Sequence, residues 1–457
     1  MHSERAVVGK GFNKRPDITN FAKETMTLHG EQLERETKFA RIAKKARENP
    51  DEKFTSLAHY LTPEFLINSY RRLRKTAASG IDGTTYYDYE LNLSRRIDRL
   101  HNDLRSKAYK APNIRRTWID KGGGKKRPLG ISTVEDKIVQ RAVTDILNNI
   151  YEQDFYNFSY GFRRKRSAHQ ALKEVRDGCM SRKIRWVLDA DIQGCFDNFD
   201  HQILRDLLGK RVKDKGILRL INQWLKVGIV DGNTMYLNQK GTPQGNIISP
   251  LLCNIYLHYV LDEWIMKMVK PLLKGEIFII RYADDFVIGF ESEEDARKVM
   301  NTLPKRMAKY GLNIHPEKSK LVEFAPKAKT KPPTIDFLGF THYWTKSMRG
   351  KPMIKRRTTS KGLRKGIKKI EDSCRYNRHE PLKEQFKILR SKLNGLYQYY
   401  GIRCNFNALK TFYQKALRRW YYWLNKRGQT NSYTWAGYKE LIKYFVLPTP
   451  RIVHKNV

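Results

Sequence analysis

Two stretches of this chain set aspartates inside runs that otherwise read as strand. In Val187-Leu188-Asp189-Ala190-Asp191-Ile192, acidic and apolar residues alternate. A strand's period of two puts Asp189 and Asp191 on one face and Leu188, Ala190 and Ile192 on the other. In the second stretch, Tyr282-Ala283-Asp284-Asp285 lies between Ile277-Phe278-Ile279-Ile280 and Phe286-Val287-Ile288. Two β-rich runs about a short polar break predict a hairpin with Asp284 and Asp285 at its tip. Aspartate is also a common turn former, and turn chemistry alone explains that pair. It does not explain an aspartate within a run. Like charges about 4 Å apart cost roughly 4 kcal/mol at an effective dielectric of 20. Carboxylates gathered on strand ends therefore need a counter-ion. With no Cys or His cluster alongside, oxygen-only ligation points to Mg²⁺. Two such ions about 3.5–4 Å apart suit an in-line phosphoryl displacement.

Charge narrows the partner. The 457 residues carry 89 Lys and Arg against 47 Asp and Glu, a formal net charge of +42. That excess disfavours a protein working alone on small neutral metabolites. It favours a polyanion, nucleic acid before an acidic membrane surface. A hydrophobic share of 40%, with 29 Gly and 17 Pro, indicates a folded chain and not a basic tail. The length suggests two or three domains with a core that needs no disulfides. The five cysteines (Cys179, Cys195, Cys253, Cys374, Cys404) include no CxxC pair. This argues against a zinc module and a secreted disulfide framework. No apolar run approaches the roughly 20 residues of a membrane span, and Met1 to Lys14 lacks a signal-peptide core. The expectation is a soluble intracellular protein on nucleic acid, a polymerase or a nuclease.

The pattern along the chain predicts an α+β region followed by helices. Residues 1–54 form a charged extension. A helix from Glu31 to Glu48 with a thin stripe of Leu33, Phe39, Ala40 and Ile42 competes there with a solvated or partner-ordered segment. Leu57 to Arg74 reads as helix, and Gly80-Ile81-Asp82-Gly83 as a turn. Arg115 to Ile131 reads as strand and loop around Gly122-Gly123-Gly124. Helix resumes near Glu135, strand runs from Arg185 to Ile192, and helix from Asp200 to Val212. Alternation of strands and helices continues to about Tyr343. Arg349 to Lys369 then holds ten Lys/Arg, no acid, and Gly350, Pro352 and Gly362 as breakers. It reads as a linker or basic strap. Ser373 to Val457 reads as helical, with 17 Lys/Arg, three Glu and 17 aromatics. Basic residues there can neutralise phosphates. The aromatics divide between stacking on bases and filling a helical core.

Several segments resemble the motifs of reverse transcriptases, in order. Tyr282-Ala283-Asp284-Asp285 resembles motif C, and Asp191-Ile192-Gln193-Gly194-Cys195-Phe196-Asp197 motif A. Gly241-Thr242-Pro243-Gln244-Gly245-Asn246-Ile247-Ile248-Ser249-Pro250-Leu251 resembles motif B. Lys125-Lys126-Arg127-Pro128-Leu129-Gly130-Ile131 resembles the fingers block, and Ser159-Tyr160-Gly161-Phe162-Arg163 the block after it. Gly311 to Lys318 resembles motif D, and Phe337-Leu338-Gly339-Phe340 motif E. Gly80 to Gly83 resembles the extra N-terminal block of the group II intron-encoded (maturase) branch. Leu393 to Gly401, Arg418 to Arg427 and Leu447 to Ile452 resemble that branch's helical thumb, domain X. The resemblance covers about 55–457.

The resemblance implies a right-hand polymerase: fingers and palm, with an antiparallel palm sheet, over 55–345, and a basic linker and all-helical thumb over 346–457. It implies RNA-templated DNA synthesis from dNTPs on a DNA primer, with two Mg²⁺ held by Asp191, Asp284, Asp285 and the Ile192 carbonyl. The family pattern, and not chemistry, ranks Asp191 over Asp189. Phe196 matches the aromatic gate against ribonucleotides, with core filling as the rival role. Lys121 and Arg127 match residues that grip the triphosphate, although Lys125 and Lys126 compete with Lys121. Gln244 would touch template or nucleotide, and Lys318 would donate a proton to pyrophosphate. Implied partners are structured group II intron RNA, RNA template with DNA primer, dNTPs and target DNA, with no membrane. The implied location is the bacterial cytoplasm, on the nucleoid when DNA-bound.

Many relatives carry a DNA-binding segment and an HNH endonuclease with paired cysteines. This sequence has none, so the expectation is no second-strand cleavage. Two rival readings stand beside the intron enzyme. One is a splicing-only RNA-binding maturase, which would have no need of Asp191, Asp284 and Asp285. The other is a host-adopted reverse transcriptase in phage defence, spacer acquisition or diversification.

Overall fold

The computed structural model describes residues 37–122, 125–181, 183–326 and 333–457. Three antiparallel-dominated sheets and their helices make an α+β fold. The first sheet holds β1 (Ile114–Gly122), β2 (Lys125–Ile131), β4 (Gly228–Asp231) and β5 (Thr234–Leu237), in the order β2-β1-β4-β5. Only β1 and β4 run parallel within it. The central sheet contains β3 (Trp186–Gln193), β6 (Ile277–Tyr282), β7 (Asp285–Phe290), β8 (Asn313–Ile314) and β9 (Lys320–Glu323). Its order is β6-β7-β3-β8, with β9 also on β3. The third holds β10 (Thr334–Phe337), β11 (Phe340–Lys346) and β12 (Pro352–Thr358).

The central sheet is apolar on both faces, and the strand period of two sorts the residues. Leu188, Ala190, Ile192, Phe286 and Ile288 enter the main core. That core also takes the helix Val134–Asp154, which buries Ile138, Val139, Ala142, Val143, Ile146 and Leu147. Val187, Phe278, Ile280 and Val287 face a second cluster with the helix Ala168–Ser181 and Phe337, Phe340 and Ile354. Burying each such side chain contributes roughly 1.5–3 kcal/mol. Asp189 and Asp191 share the face of Val187, as strand parity requires.

Three expectations change. Arg349 to Lys369 is not a linker. Pro352–Thr358 pairs along all of β11, and Ser360 starts the helix Ser360–Tyr376 under a Thr359 cap. Pro352 opens an edge strand, where its missing N–H costs nothing, and the 345/346 boundary falls inside β11. The helix after Asp200 spans His201–Leu208 and stops before Val212. In the N-terminal extension, residues 37–48 are helical, and Ile42 and Ala46 are buried in the main core. Residues 1–36, Leu33 among them, lie outside the described residues.

The C-terminal helices Ser360–Tyr376, Leu382–Tyr400, Phe406–Leu424 and Trp435–Tyr444 enclose their own core. Tyr397, Phe412, Trp420 and Tyr438 fill it, while Tyr376, Phe406, Tyr422, Trp435 and Tyr444 stay exposed. The aromatics therefore divide between core and surface. No helix among the described residues is long and apolar enough to cross a membrane.

Candidate active site

The hairpin of β6 and β7 and the end of β3 bring the aspartates together. Asp191 is the direct cross-strand partner of Asp285, and Asp189 lies two pairs further back, opposite Val287. Asp284 follows Ala283 in the turn that joins Tyr282 to Asp285. Ala283 has φ +57°, a left-handed conformation that costs a non-glycine residue energy and needs support. Two contacts supply it. Arg281 Nη1 donates to the Ala283 carbonyl at 3.0 Å. Gly161 packs so closely that a Cβ there would stand 2.3 Å from the Ala283 nitrogen.

Behind the turn is a buried polar network. Arg281 and Asp262, both with fully buried side chains, pair through Nε–Oδ1 at 2.8 Å and Nη2–Oδ2 at 2.5 Å. Arg281 Nη1 also donates to Asn254 Oδ1 at 3.1 Å, and Asn254 Nδ2 to the Gly161 carbonyl at 2.8 Å. Asp262 closes π-helical turns over His258–Asp262, where one extra residue per turn re-aims a side chain. Tyr160 N donates to the Arg281 carbonyl at 2.8 Å, which fastens the Ser159–Arg163 block along β6. Sequence reasoning missed Arg281, Asp262 and Asn254. An arginine inside the run Ile277–Tyr282 is the signal that could have found them, because a charge in a buried strand requires a partner.

The carboxylates disturb one another. Asp285 is pushed up to about 7, by the surrounding protein first and then by Asp284, Asp191 and Asp189, although its side chain reaches solvent. Asp284 is raised by burial and by Asp191, and Arg127 opposes that rise. Asp189 is raised to about 6 by burial, against the pull of Lys320. Lys318 Nζ donates to Asp191 Oδ2 at 2.5 Å. Among the described residues no three His, Cys, Asp or Glu side chains enclose an ion as they stand. The donor set nevertheless suits a hard divalent cation: it is all oxygen, partly sheltered, and self-repelling without positive charge. The Ile192 side chain is buried in the main core.

The remaining sequence-derived residues form a second wall. Arg127 Nε donates to Gln244 Oε1 at 2.6 Å. Gln244 Nε2 donates in turn to Asp197 Oδ1 at 3.0 Å and Oδ2 at 2.8 Å. This relay ties β2 to the short helix Cys195–Asn198 through the loop that precedes Ser249. Gly241 in that loop has φ +67° and lies over the same helix, where a Cβ would meet the Phe196 carbonyl at 2.3 Å. Phe196 is half-buried against the main core, and its ring meets Phe162 edge-on at 6.3 Å. Asp197 stands at the end of the motif A segment, yet only this geometry gives it a role. Lys121 belongs to β1 by backbone, and its side chain lies outside the described residues.

A profile of the reverse transcriptase (RNA-dependent DNA polymerase) family matches residues 119–342. Group II intron-encoded protein LtrA of Lactococcus lactis subsp. cremoris is 30% identical over 81% of this chain and 74% of its own length. The chain belongs to the group II intron reverse transcriptase/maturase family. As a member it is an RNA-directed DNA polymerase. Protein YkfC of Escherichia coli (strain K12) is 33% identical over 54% of this chain and 74% of its own length. The putative COX1/OXI3 intron 1 protein of Saccharomyces cerevisiae is 26% identical over 76% of the chain and half of its own length. The matched residues 119–342 include the β6–β7 turn and the Arg127–Gln244–Asp197 relay.

Proposed function

We propose that this enzyme copies RNA into DNA at Asp191, Asp284 and Asp285, and that it also binds its intron RNA to assist splicing and mobility. The observation that carries the first half is the cross-strand pairing of Asp191 with Asp285 beside the Asp284 turn. Two Mg²⁺ held by these carboxylates and the Ile192 carbonyl would stabilise the charge developing as a primer 3′-OH attacks the α-phosphate of a dNTP.

The chain's own groups do the positioning. Arg127, whose fork matches phosphate geometry, grips the triphosphate together with Lys121. In the structure it is held by Gln244, so nucleotide entry exchanges a side-chain amide for phosphate oxygens. Gln244 turns then to the template–nucleotide pair, and Asp197 keeps it oriented. Phe196, steadied by Phe162, blocks a ribose 2′-OH. Lys318, paired with Asp191, is placed to protonate pyrophosphate once released from that carboxylate. Residues from 55 through the third sheet act as fingers and palm, and the helices from Ser360 onward as thumb and maturase domain. Exposed Lys361, Arg364, Lys365, Lys368 and Lys369 on one helix there contact RNA phosphates. Structured intron RNA, primed RNA template and target DNA are the partners, in a bacterial cytoplasm.

The test is primer extension on an RNA template with dNTPs, against NTPs, with and without Mg²⁺. Asp284→Ala abolishes extension and leaves binding of structured RNA nearly intact. Equal loss of both would refute the separation of chemistry from docking.

A further inference from the structure

Two of the five cysteines meet. Cys195 Sγ and Cys253 Sγ lie 3.4 Å apart in the main core, and both residues are buried. Cys179 and Cys374 are buried in the other two clusters, and Cys404 is exposed. Cys195 opens the helix Cys195–Asn198, so Phe196 and Asp197 follow it directly. Cys253 lies on the helix Ser249–Leu257, next to Asn254. Asn254 is the residue that joins Arg281 to the Gly161 carbonyl behind the catalytic turn. The two sulfurs thus stand where the support of the Arg127–Gln244–Asp197 relay touches the support of the Asp284 turn.

A buried cysteine packs as a small hydrophobe, and one at either position would serve that purpose. Two sulfurs in contact add a chemistry. Contact with Cys253, and then burial, push the Cys195 thiol well up. A thiol held protonated reacts slowly, so the pair stays reduced at rest. Hydrogen peroxide is small and uncharged, and a brief opening of the core lets it reach a sulfur. The first thiol gives up its proton, its sulfur attacks the peroxide O–O bond, and a sulfenic acid and water result. The second thiol, already in contact, attacks the sulfenic sulfur. An S–S bond forms, the S–O bond breaks, and a second water leaves. Two thiols and one peroxide become one disulfide and two waters. In formal count each sulfur loses one electron and each peroxide oxygen gains one.

We propose that Cys195 and Cys253 form a reversible disulfide under peroxide, and that this bond switches nucleotide addition off. Bond formation stands apart from the polymerase reading above, and the loss of addition rests on it. A disulfide bond is much shorter than the present contact. Closing it draws the Cys195 helix toward the helix that carries Asn254. Phe196 and Asp197 move with the first helix. The Asn254 hydrogen bonds to Arg281 and Gly161 move with the second. Displacements of about 1 Å at such supports can cost about a hundredfold in rate. A small dithiol reverses the bond by exchange, so the switch resets.

The test treats the full chain with hydrogen peroxide, quenches with catalase and divides the sample. Mass spectrometry of a digest made without reductant looks for the Cys195 peptide linked to the Cys253 peptide, with two hydrogens lost. Single-turnover primer extension on an RNA template measures the rate. Treated wild type shows the linked peptide, adds nucleotide at least about tenfold more slowly, and recovers in dithiothreitol. Cys253→Ala and Cys253→Ser match untreated wild type and keep that rate after peroxide, while Cys404→Ser stays as sensitive as wild type. The two Cys253 variants differ in polarity, so a folding fault in one leaves the other to read. The proposal is overturned if treated wild type yields no linked peptide, if the linked protein extends at the full rate, or if the Cys253 variants are inactivated equally. A linked peptide that forms and reverses in a protein that never extends a primer would sink the polymerase reading and leave the bond standing.

Discussion

Asp285 has three acidic neighbours and a folded pKa near 7, and the consequence is a testable dependence on pH and metal. A carboxylate raised on folding contributes stability that is complete below its ordinary value and lost as pH rises through the folded one. In chelator at pH 8, Asp285→Asn therefore melts above wild type, and the difference shrinks toward pH 5. Divalent cation removes the wild-type deficit. Thermal melts across pH with and without Mg²⁺ read this, and a variant less stable than wild type at pH 8 in chelator counts against it. At Gly161 the constraint is steric. A methyl group 2.3 Å from the Ala283 nitrogen must push the Asp284 turn aside. Gly161→Ala is expected to lower the rate of nucleotide addition by at least about tenfold, a shift of roughly 1.4 kcal/mol in the barrier. Unchanged single-turnover kinetics would show that the turn yields without cost.

At the scale of elements, the β6–β7 hairpin depends on a strand-to-helix brace. Arg281 is buried and charged, and Asp262 is its counter-ion. Removing one partner strands a buried charge, and such losses are typically about 3–5 kcal/mol. Asp262→Leu should destabilise by that amount in denaturant unfolding. The double variant Asp262→Leu, Arg281→Met should recover much of it, because an apolar pair of similar volume needs no solvation. If the double variant is no better than the single, the brace acts through packing and not through charge. The β11–β12 hairpin shows why composition misleads at this scale. Lys355, Arg356 and Arg357 read as a strap, yet strand alternation buries Arg356 beside His342 and leaves Arg357 at the surface over Tyr343. Basic density alone does not distinguish a strap from a strand with one solvated face.

For the whole molecule, the +42 charge makes affinity for nucleic acid salt-dependent. Neutralising several of Lys361, Arg364, Lys365, Lys368 and Lys369 should weaken RNA binding across sequences. It should also lower the slope of log affinity against log salt by about 0.7–0.9 for each phosphate that is no longer neutralised. Binding titrations at several salt concentrations measure this, and an unchanged slope would place the RNA elsewhere.

How far the fold and site could be read in advance follows from the range of each interaction. The Asp189/Asp191 strand face, the Asp284–Asp285 turn and the helical C-terminal region are all local patterns, since periods of two and 3.6 and turn composition act over a few residues. They set Asp189 and Asp191 on one face and Asp284 and Asp285 at a turn, while Arg127, Gln244 and Phe196 were named by the resemblance of their motifs and by no period. What supports those residues was not legible. Arg281 meets Asp262 nineteen positions away, Gly161 lies under Ala283, and Gln244 bridges Arg127 to Asp197. None of these spacings follows a period, because such contacts are chosen by how sheets and helices stack. Local alternation and turn composition determined that Asp189 and Asp191 share a strand face and that Asp284 and Asp285 stand at a turn. Only the packed tertiary structure decided what holds them there, since a buried charge or a close backbone approach is stable only where distant segments meet it.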